Sequence, residues 1–199
     1  MSTLKSPSLP SRGAARTDSH QHNLVNGRVT IAAHDPKWPY LFRQEADRIR
    51  QTLGDRALSV EHVGSTAVPG MDAKPCIDIQ VAVADPTDES AYLPSLAQLG
   101  YSVFIPVTDW DEHLLLKGSR VNVNLHVFAH GSEGLVRARL LRDYLTADAG
   151  ARLRYAAVKH DLSAREWSRI HDYLDAKSGI VTELLAEAHT WRAATQAVN

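Results

Sequence analysis

The sequence predicts an α+β domain whose strands lie in the first two thirds of the chain and whose C-terminal part is helical. Three observations predict it. Short segments of alternating apolar residues recur up to about residue 128, helical periodicity interrupts them twice, and from about residue 135 the periodicity is helical only. With 199 residues and 44% apolar content, the chain is long enough for one well-buried core.

Residues 1–26 are rich in Ser, Pro and Gly and carry few large apolar groups, so they read as a flexible tail; His20 and His22 lie there. Val29 and Ile31 alternate within Arg28–Ala33, a short expected strand. Asp35-Pro36 reads as a helix start, and Phe42, Ala46, Ile49 and Leu53 follow at helical spacing up to Gly54. Ala57–Val63 is an expected strand, and the turn-rich GSTAVPG follows it. Cys76–Ala84 is the clearest strand: Ile77, Ile79, Val81 and Val83 face one way, Asp78, Gln80 and Ala82 the other. A helix is expected over Asp88–Leu99, closed by Gly100, and a strand over Tyr101–Val107. His113–Lys117 and Val121–Phe128 read as a hairpin joined by Gly118-Ser119-Arg120. Three helices follow, over Leu135–Thr146, Ala151–Leu162 and Trp167–Arg192, with Trp38, Trp167 and Trp191 as helix anchors.

The formal net charge is −1, which argues against a duplex nucleic-acid binder but leaves room for a local phosphate pocket. The one cysteine, Cys76, fits a reducing cytoplasm and a core position. No stretch reads as a membrane span or a signal peptide, so the expectation is a soluble cytoplasmic protein.

Three features converge on chemistry. Gly64-Ser65 follows a strand directly; glycine lets backbone amides approach a ligand, and Ser65 and the adjoining Thr66 add hydroxyls suited to phosphate. About a dozen residues later Asp78 places a carboxylate on the polar face of an apolar strand, which is costly to bury unless paired. Asn122, Asn124 and His126 alternate along a second strand and would share a surface with Asp78 and Gln80 if the two strands are neighbours. His62 precedes the Gly-Ser turn and is a candidate acid/base beside Asp78 and His126. Lys74 is close enough in sequence to reach the turn, Tyr155 and Tyr173 could stack a base, and Trp110 lies in the acidic loop Asp109–Glu112. Each of these also has a structural reading: a plain turn, a solvated strand face, a buried histidine, a packing aromatic.

The order strand, Gly-Ser, gap and acidic strand resembles the nucleotidyltransferase pattern. More closely, the chain resembles the GrpB-like family. The matching stretches are HDPKWPYLF (34–42), EHVGSTAVPGMDAKPCIDI (61–79), LHV (125–127), LRDYL (141–145), and the pairs Tyr155/Lys159 and Tyr173/Lys177. The resemblance implies a nucleotidyltransferase-like mixed β-sheet with helices packed on it, in one domain over residues 27–199. It adds Arg142, Lys159, Tyr173 and Lys177, which belong to the matching stretches, to Gly64, Ser65, Thr66 and Lys74 as nucleotide- or phosphate-binding candidates.

Enzymes of that superfamily place a carboxylate pair on one strand and a third on its neighbour, where they hold divalent metal ions. In this chain the matching positions after Asp78 are Gln80 and Asn124 or His126. The expectation is therefore at most one cation (Mg, Mn or Zn) on Asp78 and His126, or a metal-free site. Two functions follow from the resemblance: transfer of a nucleotidyl group from a donor such as ATP to a small acceptor, or a binding and accessory module. The second is motivated by GrpB-like domains joined to dephospho-CoA kinase in some chains.

Overall fold

The structure, a computed structural model, describes residues 24–104 and 114–197. The tail up to residue 23, Trp110 with its acidic loop, and the expected ends of the strands meeting there lie outside the described residues. Helix α1 (Lys37–Leu53) starts where Asp35 accepts the Lys37 amide through its side chain at 2.8 Å. It ends at Gly54, whose φ of 56° few side chains tolerate. Its buried residues include Trp38, Ala46, Ile49 and Leu53. Glu45 is buried as well, satisfied by Arg48 at 2.8 Å and the Tyr101 hydroxyl at 3.0 Å.

Five strands form one mixed sheet: β1 (Ser59–Val63), β2 (Ile77–Val83), β3 (Tyr101–Phe104), β4 (Leu114–Gly118) and β5 (Val123–Ala129), in the order β1-β2-β5-β4-β3. Only the β2–β5 pair is parallel; the other three are antiparallel. The two apolar strands thus sit side by side in the sheet interior. Their odd-numbered residues Ile77, Ile79, Val81, Leu125 and Val127 pack with α1 and with α2 (Leu93–Gln98) into the main core.

The other face carries the site. Gln80 and Ala82 are fully buried there, because α3 (Glu133–Ala147) covers this half of β2 and β5 through Leu135 and Phe128. Glu61 of β1 points to the same side and pairs with Arg139 and Arg142 of α3. Helices α4 (Ala149–Ser163) and α5 (Ile170–Gln196) pack with α3 into a second core that includes Val68, Met71, Leu140, Tyr155, Val181 and Leu184.

Three expectations fail. Arg28–Ala33 is no strand: the segment makes single bridges, Val25 to Arg28 and Ala32 to Ala73, outside the sheet. Val29 is buried because it packs on Leu162, Ile170 and Tyr173 of the helical part. The helix expected over Asp88–Leu99 splits into a 3₁₀ turn, Glu89–Ala91, and the short α2, because Pro94 suits only a helix's first turn. The last helix starts at Ile170, three residues later than expected; Trp167 stays in the preceding turn and donates its indole N–H to Leu162 O at 2.9 Å.

Candidate functional site

The uncovered end of β2 opens into a cavity of about 470 Å³ between the sheet and the helices. The pairing register puts Asp78 beside Asn124 and Gln80 beside His126 on the parallel β5, as the alternation predicted if the strands were neighbours. Val63 lies opposite Asp78 on β1, so the chain turns at Gly64 directly over the carboxylate. Gly64 has φ 70°, and a Cβ there would meet Asp78 Oδ2 at 2.5 Å. Glycine is thus required twice, by its backbone angle and by the approach of Asp78.

The hydrogen bonds of the 3₁₀ turn that follows, Ala67 N–H to Gly64 O and Val68 N–H to Ser65 O, do not engage the Ser65 and Thr66 amides. Both residues line the cavity. The Thr66 hydroxyl is committed elsewhere, donating to Cys76 O at 3.2 Å.

Asp78 Oδ1 accepts from Asn124 Nδ2 at 2.5 Å, and His126 Nε2 lies 3.8 Å away. Asn124 in turn accepts from the Lys117 ammonium with its other amide atom, which relays positive charge toward the carboxylate. Burial pushes the Asp78 carboxyl up, but His126, Lys74 and Asn124 outweigh it and hold the group down at about 2. Asp78 is therefore a permanent carboxylate near neutral pH. Such a group accepts hydrogen bonds strongly and is a weak general base.

Opposite this carboxylate stand cations. Lys74, Lys159 and Lys177 line the cavity, and none has a carboxylate within salt-bridge distance among the described residues. Lys159 is 2% exposed, donates to the backbone oxygen of Asp72 at 2.5 Å, and lies 4.8 Å from the Tyr155 ring centroid. Lys177 sits between Tyr155 and Tyr173, at 5.8 and 5.7 Å from their centroids. Burial, reinforced by the Lys177 charge, lowers Lys159 to about 7, with Asp72 working the other way. Burial also lowers Lys74. Lys177 is raised: burial opposes its charge, but Tyr155, Tyr173 and Asp78 outweigh that.

Gly64, Ser65, Thr66, Lys74, Asp78, His126, Arg142, Lys159, Tyr173 and Lys177 thus all border one hollow. Within it, Arg142 is tied up by the His62 carbonyl at 2.9 Å and by Asp143 at 2.7 Å. Three expected members of the polar floor are not among the cavity-lining residues. His62 falls on the α1 side of β1, stacked on Phe42 at 4.7 Å, with its Nε2 3.0 Å from the Thr66 hydroxyl. Thr66 gives its own proton to Cys76 O, so His62 donates from Nε2. Burial lowers His62 to about 4, which keeps the ring neutral. Gln80 lies under α3, its Nε2 directed to Leu135 O at 3.4 Å, and Asn122 donates to Pro75 O at 2.6 Å. Sequence reasoning missed Lys117: a hairpin closed over Gly118-Ser119-Arg120 would place it opposite Val121, but the connection is longer, β5 starts at Val123, and Lys117 pairs with Asn124.

Among the described residues no three His, Cys, Asp or Glu side chains come together as a metal site. Asp78 and His126 make a pair only, and the nearby lysines add positive charge where a cation would need the reverse. The donor set does not fit a divalent metal ion well.

Residues 28–187 match the GrpB protein family. A UPF0157 protein of Halalkalibacterium halodurans is 47% identical, covering 90% of this chain and 95% of that one. A dephospho-CoA kinase of Mycobacterium tuberculosis is 31% identical over 88% of this chain, which spans 51% of the kinase's length. Among solved structures, the conserved protein GrpB from Enterococcus faecalis superposes with a TM-score of 0.71 at 24% identity, covering 80% of this chain and 96% of that one. That likeness extends to the fold, and the match along most of the sequence settles the relationship: this chain belongs to the GrpB protein family.

Proposed function

We propose that the chain binds a nucleotide or another phosphorylated small molecule in the cavity between its sheet and its helices. The phosphate faces the Gly64-Ser65 turn and the lysines, and a hydroxyl or amine of the ligand donates to Asp78. The observation that carries this reading is the set of Lys74, Lys159 and Lys177 in one cavity with Asp78, with no carboxylate bridged to these lysines among the described residues. Unpaired ammonium groups inside a half-enclosed hollow are costly to desolvate, and an anionic ligand offsets that cost. Tyr155 and Tyr173 add flat apolar surface for a ring.

Metal-bridged transfer draws less support. Its second carboxylate position is Gln80, buried under α3, and its third is Asn124 or His126, neither of them a carboxylate. A binding or accessory role matches this donor set better than turnover does. The mycobacterial dephospho-CoA kinases, which share this region over about half their length, add CoA precursors to the ligands worth testing.

Calorimetry with ATP, AMP and dephospho-CoA, each with and without Mg²⁺ or Mn²⁺, tests the reading. Binding that needs no divalent ion and weakens about tenfold or more in Lys177→Met is the expected result. Metal-dependent binding accompanied by product formation would establish the transferase reading instead. Absence of binding by every ligand would sink both.

A further inference from the structure

Lys159 and Lys177 come from different helices, yet they share one aromatic ring. The Tyr155 ring lies 4.8 Å from one ammonium and 5.8 Å from the other. The fold itself holds both ammonium groups against this ring, and the Lys177 charge acts on Lys159. Tyr155 is 5% exposed and Tyr173 4%, so neither ring can swing away to relax the pair. Among the described residues the hydrogen-bond partner of the Lys159 ammonium is the Asp72 carbonyl, and that is neutral. The Asp72 carboxylate is directed to His160 at 2.9 Å on the outer side of α4. Facing Lys159 are therefore Lys177 from α5, Tyr155 from its own helix, and Asp72 from the segment before β2.

Resting on the binding function proposed above, we propose that the Lys159–Lys177 pair seats a dianionic phosphate monoester, and that Lys159 takes up a proton when this group arrives. The free site cannot keep two full ammonium charges together at low cost. A monoanion offsets one of them; a dianion offsets both, and so draws the second proton in. The ligand class is thereby narrowed to compounds with a terminal phosphate, and phosphodiesters are disfavoured. The low value of Lys159, about 7, agrees with an amine that is partly neutral before the ligand binds. A phosphate monoester has its second ionisation near ~6, so above pH 7 the proton must come from solvent to the protein.

The test compares AMP with cyclic AMP, which share a base and ribose but differ in phosphate charge. Each is titrated calorimetrically at about pH 8 in Tris and in HEPES, buffers of different ionisation enthalpy. AMP is expected to bind roughly tenfold or more tighter than cyclic AMP. Its heat should report uptake of up to roughly one proton per ligand, whereas that of cyclic AMP should be nearly independent of the buffer. Lys159→Arg, always charged, should keep the preference and lose the proton uptake. Lys177→Met should reduce the uptake, since Lys159, relieved of the neighbouring charge though still buried, then holds more of its proton beforehand; this variant serves if the buried Lys159 position tolerates no change. Equal affinities, or buffer-independent AMP heats in the unaltered protein, would overturn the inference and leave the binding function standing. Failure of both nucleotides to bind would remove both.

Discussion

His62 and Asp78 illustrate how much a single position along a strand decides. The two lie across neighbouring strands, and a shift of one residue on β1 separates a buried, neutral ring from the cavity floor: Val63 pairs with Asp78, His62 with Ile79. Burial holds His62 uncharged, at about 4 against an ordinary 6.5, with Asp78 working the other way and Arg142 adding to the lowering. Between those two values the unfolded chain binds the proton that the folded chain refuses. The His62 contribution to stability is therefore flat above about pH 6.5 and falls as pH drops toward 4. The shift corresponds to about 3 kcal/mol at full extent. His62→Gln keeps an N–H for Thr66 and cannot titrate. Urea unfolding midpoints at several pH values should fall below pH 6.5 in the unaltered protein and flatten in His62→Gln. Parallel curves would show that His62 is not the group responsible.

Among elements, the C-terminal helices carry Lys159 and Lys177, so their ends matter to the site. Asp148 caps α4 by accepting the Ala151 amide at 2.8 Å, directly after α3 ends at Ala147. It thereby sets the corner from which Tyr155 and Lys159 project. Asp148→Ala is expected to cost about 1 kcal/mol, read from denaturant midpoints, and to weaken ligand binding as well. A stability loss with unchanged affinity would detach the corner from the site.

Legibility follows the same lines. β2, β5 and their shared polar row were readable because alternation survives in strands whose partners lie close by, and Asp78 stood out as a charge in an apolar run. Arg28–Ala33 alternates for another reason, the packing of Val29 on the helical core, which period alone cannot distinguish from sheet pairing. The side to which His62 points and the approach of Lys117 to Asn124 depend on register, which a strand's own composition does not contain. Gln80 read as part of the surface shared with Asp78 because nothing local announces that α3 covers it.

For the whole molecule, the cavity is the seam between two cores. The sheet side provides Gly64, Asp78 and His126, and the helical side provides Lys159, Tyr173 and Lys177. A ligand spanning that seam contacts both halves at once, and it binds only the folded chain. Binding then stabilises the protein by about 2.7 kcal/mol at a ligand concentration of 100 Kd. For a domain of this size that corresponds to a rise in Tm of roughly 5–10 °C. AMP should produce such a rise. Lys177→Met should unfold near the temperature of the unliganded parent, because Lys177 is half-buried and its loss removes repulsion as well as contact. Yet it should gain little from AMP, since the helical half has lost its grip on the phosphate. If Lys177→Met gained as much as the parent, the ligand would be held by the sheet side alone, and the two cores would not meet through it.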